Sequence, residues 1–185
     1  MANVEQCVAA LARGEVIAYP TEGVFGVGCD PDSSAAVQAL LDVKERDKAK
    51  GLILIAAELS QLDGYIDFDS LSEEVKAEVL ATWPGPVTWV MPAGKKITDW
   101  VTGQFDTVAV RVSDHPDVRE LCLSYGKPIT STSANLSGEE PCRSVSEVVE
   151  QLGSRVPNVL EGKIGGRDKP TEIRDARSGK VLRQG

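Results

Sequence analysis

Three segments of the chain carry side chains that could do chemistry, and none is built on histidine or thiol. A nucleophilic triad or a metal cage needs His or Cys in number. Here a lone His115 stands in Ser113-Asp114-His115-Pro116, which reads as a surface or capping position, and Cys7, Cys29, Cys122 and Cys142 form no CxxC pair. The informative residues are glycines, hydroxyls and cations, the types that bind phosphates and carboxylates. The stretch YPTEGVFGVGCD (19–30) sets Gly23, Gly26 and Gly28 between a strand and a helix, where backbone amides could approach a ligand; an ordinary glycine-rich turn would look the same. Lys44-Glu45-Arg46, followed by Lys48 and Lys50, could neutralise an anion or merely complement the C-terminal end of a helix. In ITSTSANLSG (129–138) a strand opens into small hydroxyls, at the kind of edge where open α/β sheets bind ligands.

Alternating strands and helices must position these segments. Apolar residues at helical spacing predict helices over 4–13, stopped by Gly14, over the stretch capped by Ser33 that ends in KERDKAK, and over 70–81, 115–125 and 144–152. Short apolar runs predict strands at 16–19, 52–56, 87–91, 107–112 and 128–131. The fold class that follows is α/β, a mixed sheet flanked by helices in one domain. At 185 residues the chain is long enough to bury roughly 70% of its unfolded surface, and 42% apolar with 26% charged residues argues against disorder. No run approaches a membrane span and no signal-peptide pattern opens the chain, so a cytoplasmic protein with reduced, mostly structural cysteines and no membrane partner is expected.

The net charge of −8 is opposite to that of a tight nucleic-acid binder. The exception is local: from Lys163 onward seven Lys or Arg face three Asp or Glu. Any RNA contact should therefore be weak and confined to cations such as Arg167, Lys169, Arg174, Arg177 and Lys180.

Taken together, PTEGVFGVG, KER and SAN, in that order, resemble the PTETVYGLG, KxR and SxN signatures of the TsaC/YrdC family of threonylcarbamoyl-AMP synthases, in its short single-domain bacterial form. The likeness runs on through WPGPVT, VAVRVSDHP and PTEIRDARSGKVLRQG. It implies one YrdC-like domain over 1–185, a twisted mixed sheet with a concave, positively charged cavity. It also implies the reaction: L-threonine, bicarbonate or CO2, and ATP give threonylcarbamoyl-adenylate and pyrophosphate, for threonylcarbamoyladenosine modification of tRNA.

By matching position, Lys44 and Arg46 take catalytic roles, and Lys44, Arg46, Thr107, Ser133, Asn135 and Arg183 surround ATP. Thr21, Arg111, Ser131 and Thr171 surround threonine. Mg2+ would be held mainly by the nucleotide. Removing Lys44 or Arg46 should then lower turnover and barely move the melting temperature. Partners implied are tRNA or double-stranded RNA, weakly, and the downstream transferase proteins TsaD, TsaB and TsaE. The sequence departs from the pattern at Gly23 (for threonine), Phe25 (for tyrosine), Asp47 (for proline), Lys50-Gly51 (for Asn-Pro) and Ile55 (for a histidine of longer relatives). Two competing readings are a non-catalytic double-stranded RNA or tRNA assembly factor, and a carbamoyl-transfer domain like that of hydrogenase maturation factors.

Overall fold

A computed structural model describes residues 1–168 and 171–184. Its framework is a nine-stranded mixed sheet in the order β7-β1-β2-β6-β3-β5-β4-β8-β9. The strands are β1 (Ile17–Pro20), β2 (Phe25–Gly28), β3 (Ile53–Ala56), β4 (Val87–Pro92), β5 (Thr107–Val112), β6 (Ile129–Ser133), β7 (Asn158–Val159), β8 (Glu172–Asp175) and β9 (Val181–Arg183). The pairs β1/β7, β3/β5 and β4/β8 are parallel and the remaining neighbours antiparallel.

Helix starts are written in the sequence. Asn3 and Gln6 form a reciprocal capping box for α1 (Val4–Ala12), and Ser33 accepts from the Ala36 amide at 3.1 Å to start α2 (Ser34–Lys44). Ser72 does the same for α3 (Glu73–Thr82), three residues later than periodicity predicts, because 68–70 is wound as a 3-10 turn ahead of it. A short α4 (Asp99–Thr102), α5 (Pro116–Tyr125) and α6 (Val145–Leu152) complete the set. No helix of the described residues is long and apolar enough to cross a membrane.

The period-two alternation of each strand divides its side chains between two layers. Val108, Val110 and Val112 of β5, Leu54 and Ala56 of β3, and Trp89 and Met91 of β4 enter the main core with Leu40, Val79, Val101 and Val148 of the surrounding helices. On the opposite face Ile17, Tyr19, Ile55 and Ile129 pack under α1 and α5, against Leu11, Val118 and Leu121. That helical pair covers only part of its face. The part left open carries Ile53, Ala109 and Arg111, the alternate residues of β3 and β5.

The main surprise relative to the sequence is β2. Of the glycines read as a ligand-approach turn, Gly23 does lie in the turn between β1 and β2, whereas Gly26 and Gly28 form the strand, and at Gly28 smallness is needed for packing. At Gly28 a Cβ would overlap the Thr130 carbonyl oxygen and lie 2.9 Å from the buried Tyr19 hydroxyl, which itself donates to that carbonyl at 2.9 Å. Gly28→Ala must therefore push β2 from β6, and we expect a loss of about 3 kcal/mol in urea unfolding, the upper end of overpacking costs. Unchanged stability would mean that the strand pair can slide apart freely.

Candidate functional site

The open half of the sheet floors a cavity of about 840 Å³, the size range of small-molecule and cofactor pockets. Its rim brings together the β1–β2 turn, the N-terminal ends of β3 and β5, the C-terminal end of β6 and, from the far end of the chain, Thr171 and Arg183. Six cations line it, Arg46, Lys50, Arg111, Arg143, Arg167 and Arg183, against the carboxylates Glu140 and Asp168. Such a wall suits a ligand carrying several negative charges.

Of the ten residues singled out from the sequence, Thr21, Arg46, Thr107, Arg111, Ser131, Ser133, Thr171 and Arg183 line this cavity. Lys44 and Asn135 do not. Lys44 is only 9% exposed, and its ammonium donates to Ser133 O at 2.6 Å, Asn135 O at 2.8 Å and Asn135 Oδ1 at 2.7 Å. All three of its protons are engaged, so touching a ligand would require giving one up. Burial, and after it the charge of Arg46, pushes the ammonium down to about 8, while three oxygen acceptors favour the charged form.

Asn135 is equally committed. Its Oδ1 also accepts from Ser133 Oγ at 2.6 Å, and its Nδ2 donates to Leu136 O and Glu139 O at 3.1 and 3.0 Å. The pair shapes the loop instead of facing the cavity.

The split between Lys44 and Arg46 originates at Glu45, which adopts the left-handed conformation at φ 51° and ends α2. The reversal sends Lys44 under the Ser133–Asn135 loop and Arg46 into the cavity, where its Nε and Nη2 donate to Gly51 O at 3.2 and 3.0 Å. Lys50 also lines the cavity, whereas Lys48 leaves it to sit 4.0 Å over the Trp100 ring. Among the departures from the family pattern, Gly23, Phe25, Lys50 and Gly51 touch the cavity, but Ile55 is buried under α1 and α5.

At the other end Arg111 is 5% exposed. Its Nη1 donates to Thr88 Oγ1 at 3.1 Å and, more loosely, to Thr171 Oγ1 at 3.4 Å, and its Nε lies 3.4 Å from Glu22 Oε2. Nη2 has no acceptor among the described residues. Glu22, 6% exposed, takes a hydrogen bond from Ser113 Oγ at 3.0 Å. Sequence reasoning quoted this glutamate inside PTEG and gave it no role. The available signal was Arg111 itself, a charge within the apolar strand TVAVRV, which burial obliges to find a counter-ion.

His115 proves to be a buried cap and not a surface residue. Its Nδ1 accepts the Asp117 amide at 3.1 Å and its Nε2 donates to Lys163 O at 2.8 Å, a tautomer assigned from those partners. Of the basic tail, Arg174 pairs with Glu172 and Arg177 with Asp106, and Lys169 lies outside the described residues.

Comparison with known proteins finds relatives over the whole chain. The Sua5/YciO/YrdC family profile, described as telomere recombination, matches residues 9–185. Proteins named threonylcarbamoyl-AMP synthase from Vibrio parahaemolyticus and Photobacterium profundum are 60% and 61% identical over 185 residues, covering 100% of both chains in each case. P. abyssi Sua5 complexed with L-threonine superposes with a TM-score of 0.90 at 27% identity, over 97% of this chain and 53% of that one. This chain thus spans about half of that longer protein.

Because Lys44 is built into the loop, Lys44→Met should not be silent in stability, contrary to the expectation from sequence. Stranding buried carbonyl oxygens should cost about 2–3 kcal/mol in urea unfolding. Arg46→Met, which frees one carbonyl at the cavity edge, should cost about 1 kcal/mol. Equal costs for the two would place both side chains in the same environment.

Proposed function

Since the chain belongs to the Sua5/YciO/YrdC family, we propose that it is a nucleotidyltransferase that forms threonylcarbamoyl-adenylate from L-threonine, bicarbonate or CO2, and ATP. What carries the reading is one cavity with donors at two places: Arg111, whose Nη2 has no acceptor among the described residues, beside Thr21 and Thr171, and Arg46 with Lys50 beside the Ser133 loop. An amino acid and a nucleotide fit such a floor side by side.

The threonine carboxylate would pair with Arg111, whose guanidinium offers a planar donor set matched to a carboxylate. Its amine, in the neutral form, attacks the carbon of CO2: the C–N bond forms as one C=O π bond opens onto oxygen, and the proton released from nitrogen passes to solvent. A carbamate oxygen then attacks the α-phosphorus of ATP. The bond from that phosphorus to the bridging oxygen breaks, and pyrophosphate departs with the electron pair. Thr107, Ser133, Arg46 and Arg183 surround the nucleotide, and Arg46 and Lys50 offset the charge of the triphosphate. Mg2+ would enter with ATP, held by phosphates and water.

No covalent intermediate with the protein is needed, because alignment of two anions and neutralisation of phosphate charge lower most of the barrier. Lys44 and Asn135 act one step back, holding the Ser133 loop. The adenylate would pass to transferase proteins of the TsaD, TsaB and TsaE kind for tRNA modification in the cytoplasm. RNA contact by this chain itself is weak, since two of its tail arginines are already paired with carboxylates.

Incubation of the protein with ATP, Mg2+, bicarbonate and labelled threonine should yield a threonine-containing adenylate, with pyrophosphate release requiring threonine and bicarbonate together. Release that persists without bicarbonate would indicate an ordinary aminoacyl-adenylate and overturn the scheme. Threonine should be preferred over valine by about 100-fold or more if hydroxyls of the pocket pair with the substrate hydroxyl, as judged from the two kcat/KM values.

A further inference from the structure

Arg167 is a cation of the cavity wall that has no ion pair and no side-chain hydrogen bond among the described residues. The segment that bears it is held against the β1–β2 turn by Gly165 N to Thr21 O at 2.9 Å and Arg167 N to Glu22 O at 3.1 Å. The bond from His115 Nε2 to Lys163 O anchors it on the other side. The backbone is thus fixed, and the side chain lines the cavity. Its Nε is shielded from solvent and has no hydrogen-bond partner. Glu22, the carboxylate whose backbone it touches, is committed to Arg111 and Ser113. Asp168 also lines the cavity but forms no ion pair with Arg167 among the described residues.

A guanidinium whose backbone is fixed and whose Nε is shut off from water without a partner is completed by an anion in the cavity. The surrounding charges indicate which anion. Arg111 is offset by Glu22 at 3.4 Å, so it contributes hydrogen-bond donors with little net charge. Arg183 donates Nε and Nη2 to Thr171, and under the proposed function it serves the nucleotide. Arg167, on the segment held against Thr21 and Glu22, is a cation that no carboxylate of the described residues offsets. Two carboxylate-type groups must be accommodated there, the threonine carboxylate and the group added from bicarbonate.

We propose that Arg167 binds the second of these, the carboxylate-type oxygens of bicarbonate and then of the carbamate, and so orients the nucleophilic oxygen. This deepens the proposed function and rests on it.

The test is steady-state kinetics of pyrophosphate release with each substrate varied in turn, on Arg167→Met and Arg167→Lys. The expected result for Arg167→Met is a KM for bicarbonate raised on the order of 10- to 100-fold, as for loss of one member of a buried charge pair, with KM for ATP and the melting temperature near wild type. Arg167→Lys keeps the charge and loses the fork, and should give a smaller shift of the same kind; it decides the matter if the Met variant folds poorly. A raised KM for ATP with bicarbonate unaffected would assign Arg167 to the triphosphate and overturn the inference, as would unchanged constants throughout. If the wild-type protein itself makes no threonine-containing adenylate, the proposed function has failed, an outcome distinct from either.

Discussion

One buried ammonium ties the cavity together. Lys44 closes the end of α2 and simultaneously holds the carbonyls of Ser133 and Asn135, residues that follow it by 89 and 91 positions. The end of β6, where Ser133 reaches the cavity, is fixed by the ladder with β2 on one side and by three short bonds to one nitrogen on the other. The constraint also explains the helix end. A left-handed Glu45 is an unfavourable conformation for a non-glycine residue, and it is retained where it lets adjacent cations serve opposite purposes, one inside the scaffold and one at the ligand wall.

The second organising interaction is the Glu22–Arg111 pair. An arginine alone at that depth would be unsupportable, and a fully bonded pair would leave nothing for a ligand. Here the carboxylate stands 3.4 Å from Nε without forming a hydrogen bond, takes its firm bond from Ser113 instead, and leaves Nη2 of the arginine unclaimed. Ser113 Oγ in turn accepts the His115 amide at 3.0 Å, so the cap of α5, the counter-ion and the guanidinium are three links of one chain. The lone histidine therefore matters to the site through geometry, with no part in proton transfer.

Much of this was legible in the sequence because the governing forces were local. The cap at Ser33 and the short apolar runs of β3 and β5 are short-range signals, and they placed these elements within a few residues. The candidate residues were readable as a group, eight of the ten lining one cavity. What stayed hidden depends on contacts between distant segments. That Lys44 points inward follows from a loop almost ninety residues away, Gly28 is required by a carbonyl of β6, and Glu22 carries no mark of burial in a turn motif. Strands β8 and β9 escaped notice because their residues are polar or exposed, so no apolar alternation announces them.

The path of the chain has a consequence for how the cavity can come apart. The floor is laid by β3, β5 and β6, but Arg167, Thr171 and Arg183 come from a later stretch that returns to it after β7. That stretch is tied to the body of the sheet by β8 on β4 and by the amides of Gly165 and Arg167 on the β1–β2 turn. Local opening there would unmake one wall of the cavity while leaving most of both cores in place, so the wall and the floor need not share one stability.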